Sequence, residues 1–279
     1  MTIIPKINYW ERFIQLVKPG TKTVLDNCID KSRDSLGDIY VYEQELQRIL
    51  TFGNQIEQSR LNIQSPHQLQ HNYTQAMLLS VLLVDKLDSS LILGLGGGAL
   101  LRTLHFLFPS MDIHAVEYRQ AVLNVAWDYF MLPKSSNTHY YCDDAISYLY
   151  KDEQQYDLIF SDLYLSDSVS AVQNDDTFYQ QCKEHLSAQG ILVINQWETD
   201  SFAFHLSYER LKSVFNNQVC SLVVKGGNNI LYAFNNEITA LYRKPFFNEA
   251  HKLGLKIDNP MQKHARAYWQ ENVKRVRPQ

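Results

Sequence analysis

The sequence contains no pair of closely spaced cysteines. Its four cysteines, Cys28, Cys142, Cys182 and Cys220, lie far apart along the chain. Structural zinc sites and disulfide frameworks need cysteines at short, regular spacings. We therefore expect neither of them, predict no metal site, and expect a protein of the reducing cytoplasm.

The sequence also lacks a large excess of one charge and a long hydrophobic run. Its 26 Lys and Arg residues face 30 Asp and Glu residues, which gives a net charge of −4. This balance excludes a protein that coats nucleic acid or membranes through bulk charge. The longest apolar stretch, residues 76–84, is about half of the roughly 20 residues that a membrane-spanning helix needs. The first residues have no apolar segment typical of a signal peptide, so we expect no nucleic-acid and no membrane partner.

From residue 90 onward, short apolar runs alternate with stretches of helical period. This alternation is typical of βαβ units, in which a parallel sheet is covered by helices on both faces. The runs are residues 91–95, 113–116, 139–142, 158–160 and 191–194.

Two further runs, residues 219–224 and 230–234, are separated by only five residues. So short a link permits only an antiparallel hairpin, because a parallel crossover needs about a dozen residues or more. A parallel sheet that ends in an antiparallel hairpin is the pattern of class I AdoMet-dependent methyltransferases. A NAD-dependent dehydrogenase would continue parallel and remains possible only without the hairpin. We predict an α/β fold with a doubly wound sheet and an antiparallel C-terminal hairpin.

The ends of the chain have a different composition from its middle. Residues 36–63 read as short strands with a Gly53-Asn54 turn, which predicts a small β-rich lobe over residues 1–65. The nucleoside-binding domain is then predicted over 66–245, and apolar residues at helical spacing over 69–87 predict a helix near its start. Residues 246–279 form a basic tail with a helix predicted over 261–276, and the tail carries a net charge of +5 from Ala250 onward. We interpret this helix as a solvated one that packs on the domain.

A glycine-rich segment follows the first run of the predicted sheet. Gly94, Gly96 and Gly98 connect an apolar strand to a helix that begins near Ala99. Glycines suit this position because the backbone turns sharply there and a ligand must approach it closely. The spacing also fits the dinucleotide form G-x-G-x-x-A, so the loop alone does not distinguish the two kinds of ligand.

Acidic residues follow the next two strands. Glu117 ends the second strand, 19 residues past Gly98, where a carboxylate can accept hydrogen bonds from a ribose diol. Asp143, Asp144 and Ala145 close the third strand, where they are placed to recognise an adenine ring. Two acids at successive strand ends predict a nucleoside site at the carboxyl edge of the sheet.

The glycine loop, Ala115–Glu117, Asp144-Ala145 and the segment 156–162 together resemble the spermidine synthase superfamily. The resemblance implies a small N-terminal β lobe before a class I methyltransferase-like domain. It also implies that the glycine loop, Glu117 and Asp144-Ala145 hold the donor nucleoside, with Gln58 and Tyr73 as further pocket residues. A homodimer is a further expectation from the resemblance.

The chain departs from the aminopropyltransferases of that superfamily at two acids. Their glycine loop has an Asp that faces the amine of decarboxylated AdoMet, and Gly97 stands at this position. Their catalytic strand end reads Asp-x-x-Asp-Pro, whereas here Asp162 is kept and Leu165 replaces the second Asp. A bare glycine turn accepts the carboxylate of intact AdoMet, which an Asp would repel.

We therefore predict an AdoMet-dependent methyltransferase that acts on an amine of a small molecule or a protein. Asp162 is the predicted base or orienting group, because an amine must lose a proton before it attacks. Tyr164 and Asp167 are predicted to line the acceptor pocket. The alternatives are a polyamine aminopropyltransferase that uses decarboxylated AdoMet, and a non-catalytic nucleoside-binding protein.

Overall fold

A computed structural model describes residues 27–53, 56–165, 168–169, 175–197, 201–238 and 241–276, without the side chains of 164–165, 168–169, 197 and 201–203. Its first unit is an antiparallel four-stranded sheet in the order β1-β2-β3-β4. This sheet confirms the predicted N-terminal β structure. Its strands are β1 (Cys28–Asp34), β2 (Gly37–Gln44), β3 (Gln47–Phe52) and β4 (Glu57–Asn62).

A short helical segment connects this sheet to the rest of the chain. Helix α1 covers Asn72–Leu78 and a 3-10 turn covers Leu79–Leu82, so the helix is shorter than the predicted 69–87. The apolar residues beyond the helix, such as Val81 and Leu83, are buried against the core. The apolar pattern therefore extends beyond the helix because the later apolar residues are buried by tertiary packing and not by a helical face.

The central sheet has seven strands in the order β12-β13-β11-β8-β5-β6-β7. The first five in chain order are parallel to one another, and β13 is antiparallel to both β11 and β12. The predicted doubly wound sheet with its antiparallel hairpin is thus confirmed. The strands are β5 (Ser89–Leu93), β6 (Asp112–Glu117), β7 (Thr138–Cys142), β8 (Tyr156–Ser161), β11 (Leu186–Trp197), β12 (Val219–Val224) and β13 (Asn228–Phe234), and β9 (Tyr164–Leu165) with β10 (Ser168–Val169) form a separate ribbon.

Helices cover both faces of this sheet, and each face has its own apolar cluster. One face packs against α1, α2 (Ala99–Leu107) and α3 (Gln120–Tyr129). The other packs against α4 (Ala145–Lys151), α5 (Asp176–Glu184) and α6 (Ser201–Val214). Because both faces are buried, the central strands read as continuous apolar runs rather than as alternating ones.

Two helices follow the hairpin, α7 (Arg243–Ile257) and α8 (Met261–Val276). Helix α8 confirms the helix predicted over 261–276. Its apolar side is buried against the sheet, where the ring of Tyr268 meets that of Tyr232 at a centroid distance of 5.1 Å. The division of the chain at residues 65 and 245 stays a prediction.

The N-terminal sheet packs on helix α3 of the larger unit. Its Ile39, Val41 and Leu50 share an apolar cluster with Val122 and Phe130. An ion pair of 2.8 Å between Asp34 and Arg119 borders this cluster. The small sheet is therefore fixed beside the loop that follows β5. Within the part of the chain that the structure describes, no helix is long and apolar enough to cross a membrane.

Candidate active site

The glycine loop between β5 and α2 lies directly against the end of β8. Gly94 has a φ of +90°, and a Cβ atom there would collide with the carbonyl oxygen of Asp162. The Asp162 N–H in turn donates to the Leu93 carbonyl at 2.9 Å. A glycine is required at position 94 because of both its backbone conformation and this close approach. The loop and the residue after β8 thus form one continuous edge.

Gly97 packs against strand β4 of the small sheet. A Cβ atom at this position would lie 2.5 Å from the Oγ of Ser59 and 3.0 Å from the Phe130 ring. Ser59 is itself buried. The position where aminopropyltransferases are expected to carry an Asp therefore has no room for a side chain unless Ser59 moves.

A buried arginine supports the glycine loop from behind. Arg102, on α2, donates to the carbonyls of Gly97, of Phe130 at 2.7 Å and of Pro66 at 2.9 Å. Its burial lowers its pKa to about 9. These bonds tie the loop to the end of α3 and to the segment that leaves the small sheet, which fixes the loop's conformation.

Glu117 lies at the end of β6, as the sequence predicts, and it is buried. Its Oε2 accepts hydrogen bonds from the N–H groups of Leu95 at 3.2 Å and Gly96 at 3.1 Å, and its Oε1 accepts one from Arg119 at 3.0 Å. Burial raises the pKa of this carboxyl, and the three N–H groups oppose that rise. A carboxylate has about four acceptor positions, so one on Oε1 is left for a ribose hydroxyl.

The acids after β7 have different surroundings. Asp144 is the N-cap of α4, where its Oδ1 accepts from the Ser147 N–H at 3.0 Å, and its Oδ2 is left for a ligand. Asp143 accepts from Lys151 at 2.6 Å and from the Asp144 N–H at 2.9 Å. Ala145 begins α4 and is buried. Asp144 is therefore better placed than Asp143 to contact an adenine, and the predicted role of Asp143 stays a prediction.

Asp162 follows β8, and its backbone lies against the glycine loop. Its Oδ1 accepts a hydrogen bond from Asn195 Nδ2 at 2.8 Å, and its side chain also bonds to Tyr73. Burial raises the pKa of the Asp162 carboxyl, and the bonds from Asn195 and Tyr73 oppose that rise. Asp162 thus combines an increased proton affinity with a fixed orientation, which are the properties of a general base.

A chain of polar side chains continues from Asp162 into the small sheet. The Tyr73 ring stacks on His71 at a centroid distance of 5.4 Å, and His71 Nε2 lies 2.7 Å from Glu57 Oε1. Glu57 also forms an ion pair with Arg60. Although burial opposes it, these two partners lower the pKa of Glu57 to about 2, so the carboxyl stays ionised. The small sheet therefore supports the residue that holds Asp162.

Sequence reasoning missed His71, Glu57, Asn195 and Asn228. Asn228 Nδ2 donates to Asn195 Oδ1 at 2.9 Å, which fixes the amide that contacts Asp162. Asn195 follows the predicted strand 191–194, so the strand-end rule that selected the acids could have found it. Glu57 adjoins Gln58 in the sequence, and His71 lies two residues before Tyr73.

The remaining predicted residues are less well defined. Gln58 sits at a register shift of β4, where its amide donates to the Ile56 carbonyl at 3.3 Å. Tyr164 belongs to β9 and its side chain is not described, and Asp167 lies outside the described residues. Their roles at an acceptor pocket stay predictions.

This arrangement defines a class of protein. A parallel sheet with an antiparallel terminal hairpin, a glycine loop after β5 and acids at the ends of β6 and β8 characterise a transferase with the class I methyltransferase-like fold. The sequence model of the Spermine/spermidine synthase domain family matches residues 70–228. The chain belongs to that family, which confirms the resemblance found in the sequence.

Individual relatives agree with this assignment. The chain is 26% identical over 201 residues to a polyamine aminopropyltransferase of Neisseria meningitidis, with 71% of this chain and 76% of that protein covered. Further curated relatives carry the same name.

Among solved structures, a spermidine synthase in complex with the transition-state analogue AdoDATO has a TM-score of 0.67 at 17% identity, over 87% of this chain and 84% of that one. Human methyltransferase-like protein 13 in complex with SAH has a TM-score of 0.60 at 23% identity, over 68% and 94%. At these identities the two structures establish the fold.

Proposed function

We propose that the chain is an aminopropyltransferase, which moves the aminopropyl group of decarboxylated AdoMet to the primary amine of a polyamine. The observation that carries the proposal is Asp162, whose backbone packs against the glycine loop and whose carboxylate is held by Asn195 and Tyr73. The names of the curated relatives give further support. The sequence alone favours methyl transfer, whereas these relatives favour aminopropyl transfer.

Asp162 would act on the attacking amine. A primary amine has a pKa of about 10.4 and is mostly protonated near neutral pH, so it must lose a proton before it attacks. Its nitrogen then bonds to the propyl carbon while the bond from that carbon to sulfur breaks. The sulfur keeps the electron pair and leaves as the thioether methylthioadenosine, and Asp162 takes the proton.

The donor edge would hold the nucleoside. Glu117 has an acceptor position left for a ribose hydroxyl, and Asp144 has its Oδ2 left for an adenine amino group. The decarboxylated donor and a polyamine are both cations. The acidic side chains of Glu117, Asp144 and Asp162 lie at the carboxyl ends of β6, β7 and β8, where negative charge attracts cations to this edge of the sheet.

Methyl transfer from intact AdoMet is the second candidate, and a specific observation favours it. Ser59 fills the space that an Asp at position 97 would need, so the acid that faces the donor amine in aminopropyltransferases is sterically excluded. Leu165 also replaces the second catalytic acid. Under this candidate the glycine turn would accept the donor carboxylate, and the acceptor would be an amine of a small molecule or a protein.

The by-product distinguishes the two candidates. The purified chain is incubated with decarboxylated AdoMet or with intact AdoMet, each with a panel of diamines, polyamines, other small amines and a lysine-rich protein, and the nucleoside products are identified by mass spectrometry. Aminopropyl transfer releases methylthioadenosine, which is the expected result, whereas methyl transfer releases S-adenosylhomocysteine. Binding of a donor without either product would overturn both candidates and favour a non-catalytic nucleoside-binding protein.

A further inference from the structure

A cluster of two histidines and one aspartate lies on strands β6 and β7, nearer the starts of these strands than the acids of the donor edge. His114 and His139 are directly opposite each other in the parallel pairing of the two strands. Asp112 begins β6, and its Oδ2 lies 3.3 Å from His114 Nε2 while its Oδ1 lies 2.9 Å from His139 Nε2. Each of the three residues offers one ligand atom, and these atoms all lie within 4.8 Å of one another.

Asp112 starts its strand, whereas the glycine loop, Glu117 and Asp162 follow the ends of theirs. The cluster therefore lies toward the opposite edge of the sheet from the candidate active site, since neighbouring parallel strands run in the same direction. The proposed transfer reaction makes no use of these three residues.

Tyrosine hydroxyls lie around His114 Nδ1, the ring nitrogen that does not contact Asp112. Tyr156 donates its hydroxyl proton to the Asp152 carboxylate at 2.8 Å, because a carboxylate can only accept. The Tyr156 and Tyr148 oxygens each lie 3.0 Å from His114 Nδ1, so the Tyr156 oxygen can accept from an Nδ1–H group. His114 can therefore adopt the tautomer in which Nδ1 carries the proton and Nε2, which faces Asp112, can bind a cation.

In this tautomer a cation between Nε2 and the Asp112 carboxylate can bind to both of them. Metal-bound histidines show this arrangement, in which the second ring nitrogen donates to an orienting group. Here the orienting group is Tyr156, which Asp152 holds in turn. Asp112 has its own support, because Gln154 Nε2 donates to its Oδ2 at 3.0 Å.

We propose that Asp112, His114 and His139 bind a divalent transition-metal ion of the Zn²⁺ type, which links β6 to the edge strand β7. Two imidazoles and one carboxylate are a donor set that Zn²⁺ and its neighbours accept. Ligands of one tetrahedral zinc lie roughly 3.3 Å apart, given bonds of about 2.0–2.2 Å, so small side-chain rotations suffice. His139 and Asp112 are 39% and 38% exposed, which leaves the ion accessible from solvent and room for water as a further ligand.

The test is calorimetry of the purified, untagged chain with Zn²⁺, together with thermal unfolding with and without the ion. We expect one ion per chain and a higher Tm with Zn²⁺, because an ion that binds only the folded state stabilises it. His139→Gln should weaken binding at least about tenfold and abolish the rise in Tm, since it removes one of three ligands. Asp112→Asn, which keeps the shape of the side chain, should do the same.

His251→Gln is the matched control, because His251 is an exposed histidine on α7, and it should bind Zn²⁺ like the unaltered chain. Co²⁺ gives an independent readout, since thiolate ligation by the exposed Cys28 or Cys142 adds an intense charge-transfer band that nitrogen and oxygen ligands lack. Zn²⁺ binding that is absent, that survives both His139→Gln and Asp112→Asn, or that shows thiolate bands overturns the proposal. The readouts are independent of enzymatic activity, so its failure is separate from that of the proposed function.

Discussion

The two edges of the candidate active site are built in different ways. The donor edge consists of the glycine loop, Glu117 and Asp144, which follow three successive strands and whose bonds involve mostly backbone groups. The acceptor edge is a network of side chains around Asp162 that draws on β4, α1, β11 and β13. The donor edge is therefore local and recognisable from spacing, whereas the acceptor edge depends on how distant segments pack.

The largest expected effect is on turnover, and it distinguishes the acceptor edge from the donor edge. Asp162→Asn should lower kcat by about 10²- to 10⁴-fold, because it removes a general base, while donor affinity changes little. Steady-state kinetics and donor calorimetry check the two halves of this prediction. Asp85→Asn, at an exposed position, is the control and should leave both unchanged. Near-normal turnover by Asp162→Asn would show that Asp162 is not the base.

The next effect tests whether the small sheet stabilises the acceptor edge through Glu57. The pKa of Glu57 falls from 4.5 to about 2 in the folded chain. At about 1.36 kcal/mol per unit, Glu57→Gln should cost about 3 kcal/mol of stability at pH 7. Because the folded pKa is the lower one, this contribution is present above pH 4.5 and is lost as the pH falls toward about 2.

Urea unfolding at a series of pH values measures this difference, which should shrink steadily below pH 4.5. Glu249→Gln is the control, since Glu249 is 55% exposed in a surface pair with Lys252. A difference between the unaltered chain and Glu57→Gln that stays constant with pH would mean that the Glu57 charge does not stabilise the fold.

The smallest effect concerns the contact between the small sheet and the donor edge. Gly97→Ala should destabilise the chain by about 1–3 kcal/mol, because the added methyl overpacks against Ser59. In a Ser59→Gly background the same change should cost less. Denaturant unfolding of the unaltered chain, the two single variants and the double variant measures the coupling energy between positions 97 and 59. Gly53→Ala is the control, since its nearest atom would be 3.9 Å away. Equal costs in both backgrounds would contradict the proposed contact.

The sequence predicted the fold well because the relevant signals are short-range. Apolar runs that are buried on both sides mark the parallel strands, and the five-residue link between residues 224 and 230 permits only an antiparallel pair. Helix α1 is shorter than predicted because buried residues after it, such as Leu83, keep the apolar period. Local patterns cannot show where tertiary contacts replace helical ones.

Only part of the candidate site was predicted, again because local patterns do not show tertiary contacts. Glu117 and Asp162 follow strands, so a strand-end rule finds them. Glu57 and His71 are 14 positions apart, and only the packing of the small sheet against α1 brings them together. The prediction that the chain has no metal site considered cysteine spacing alone, whereas His114 and His139 meet through the register of β6 and β7.

The bond from Asn228 to Asn195 affects how far the chain can be shortened. The match to the family's sequence model ends at residue 228, which is the first residue of β13. A version cut there would lose the strand that carries Asn228, and with it the partner that orients the amide beside Asp162. We therefore expect a shortened version to keep this bond, and with it the contact to Asp162, only if it extends through the end of β13 at Phe234.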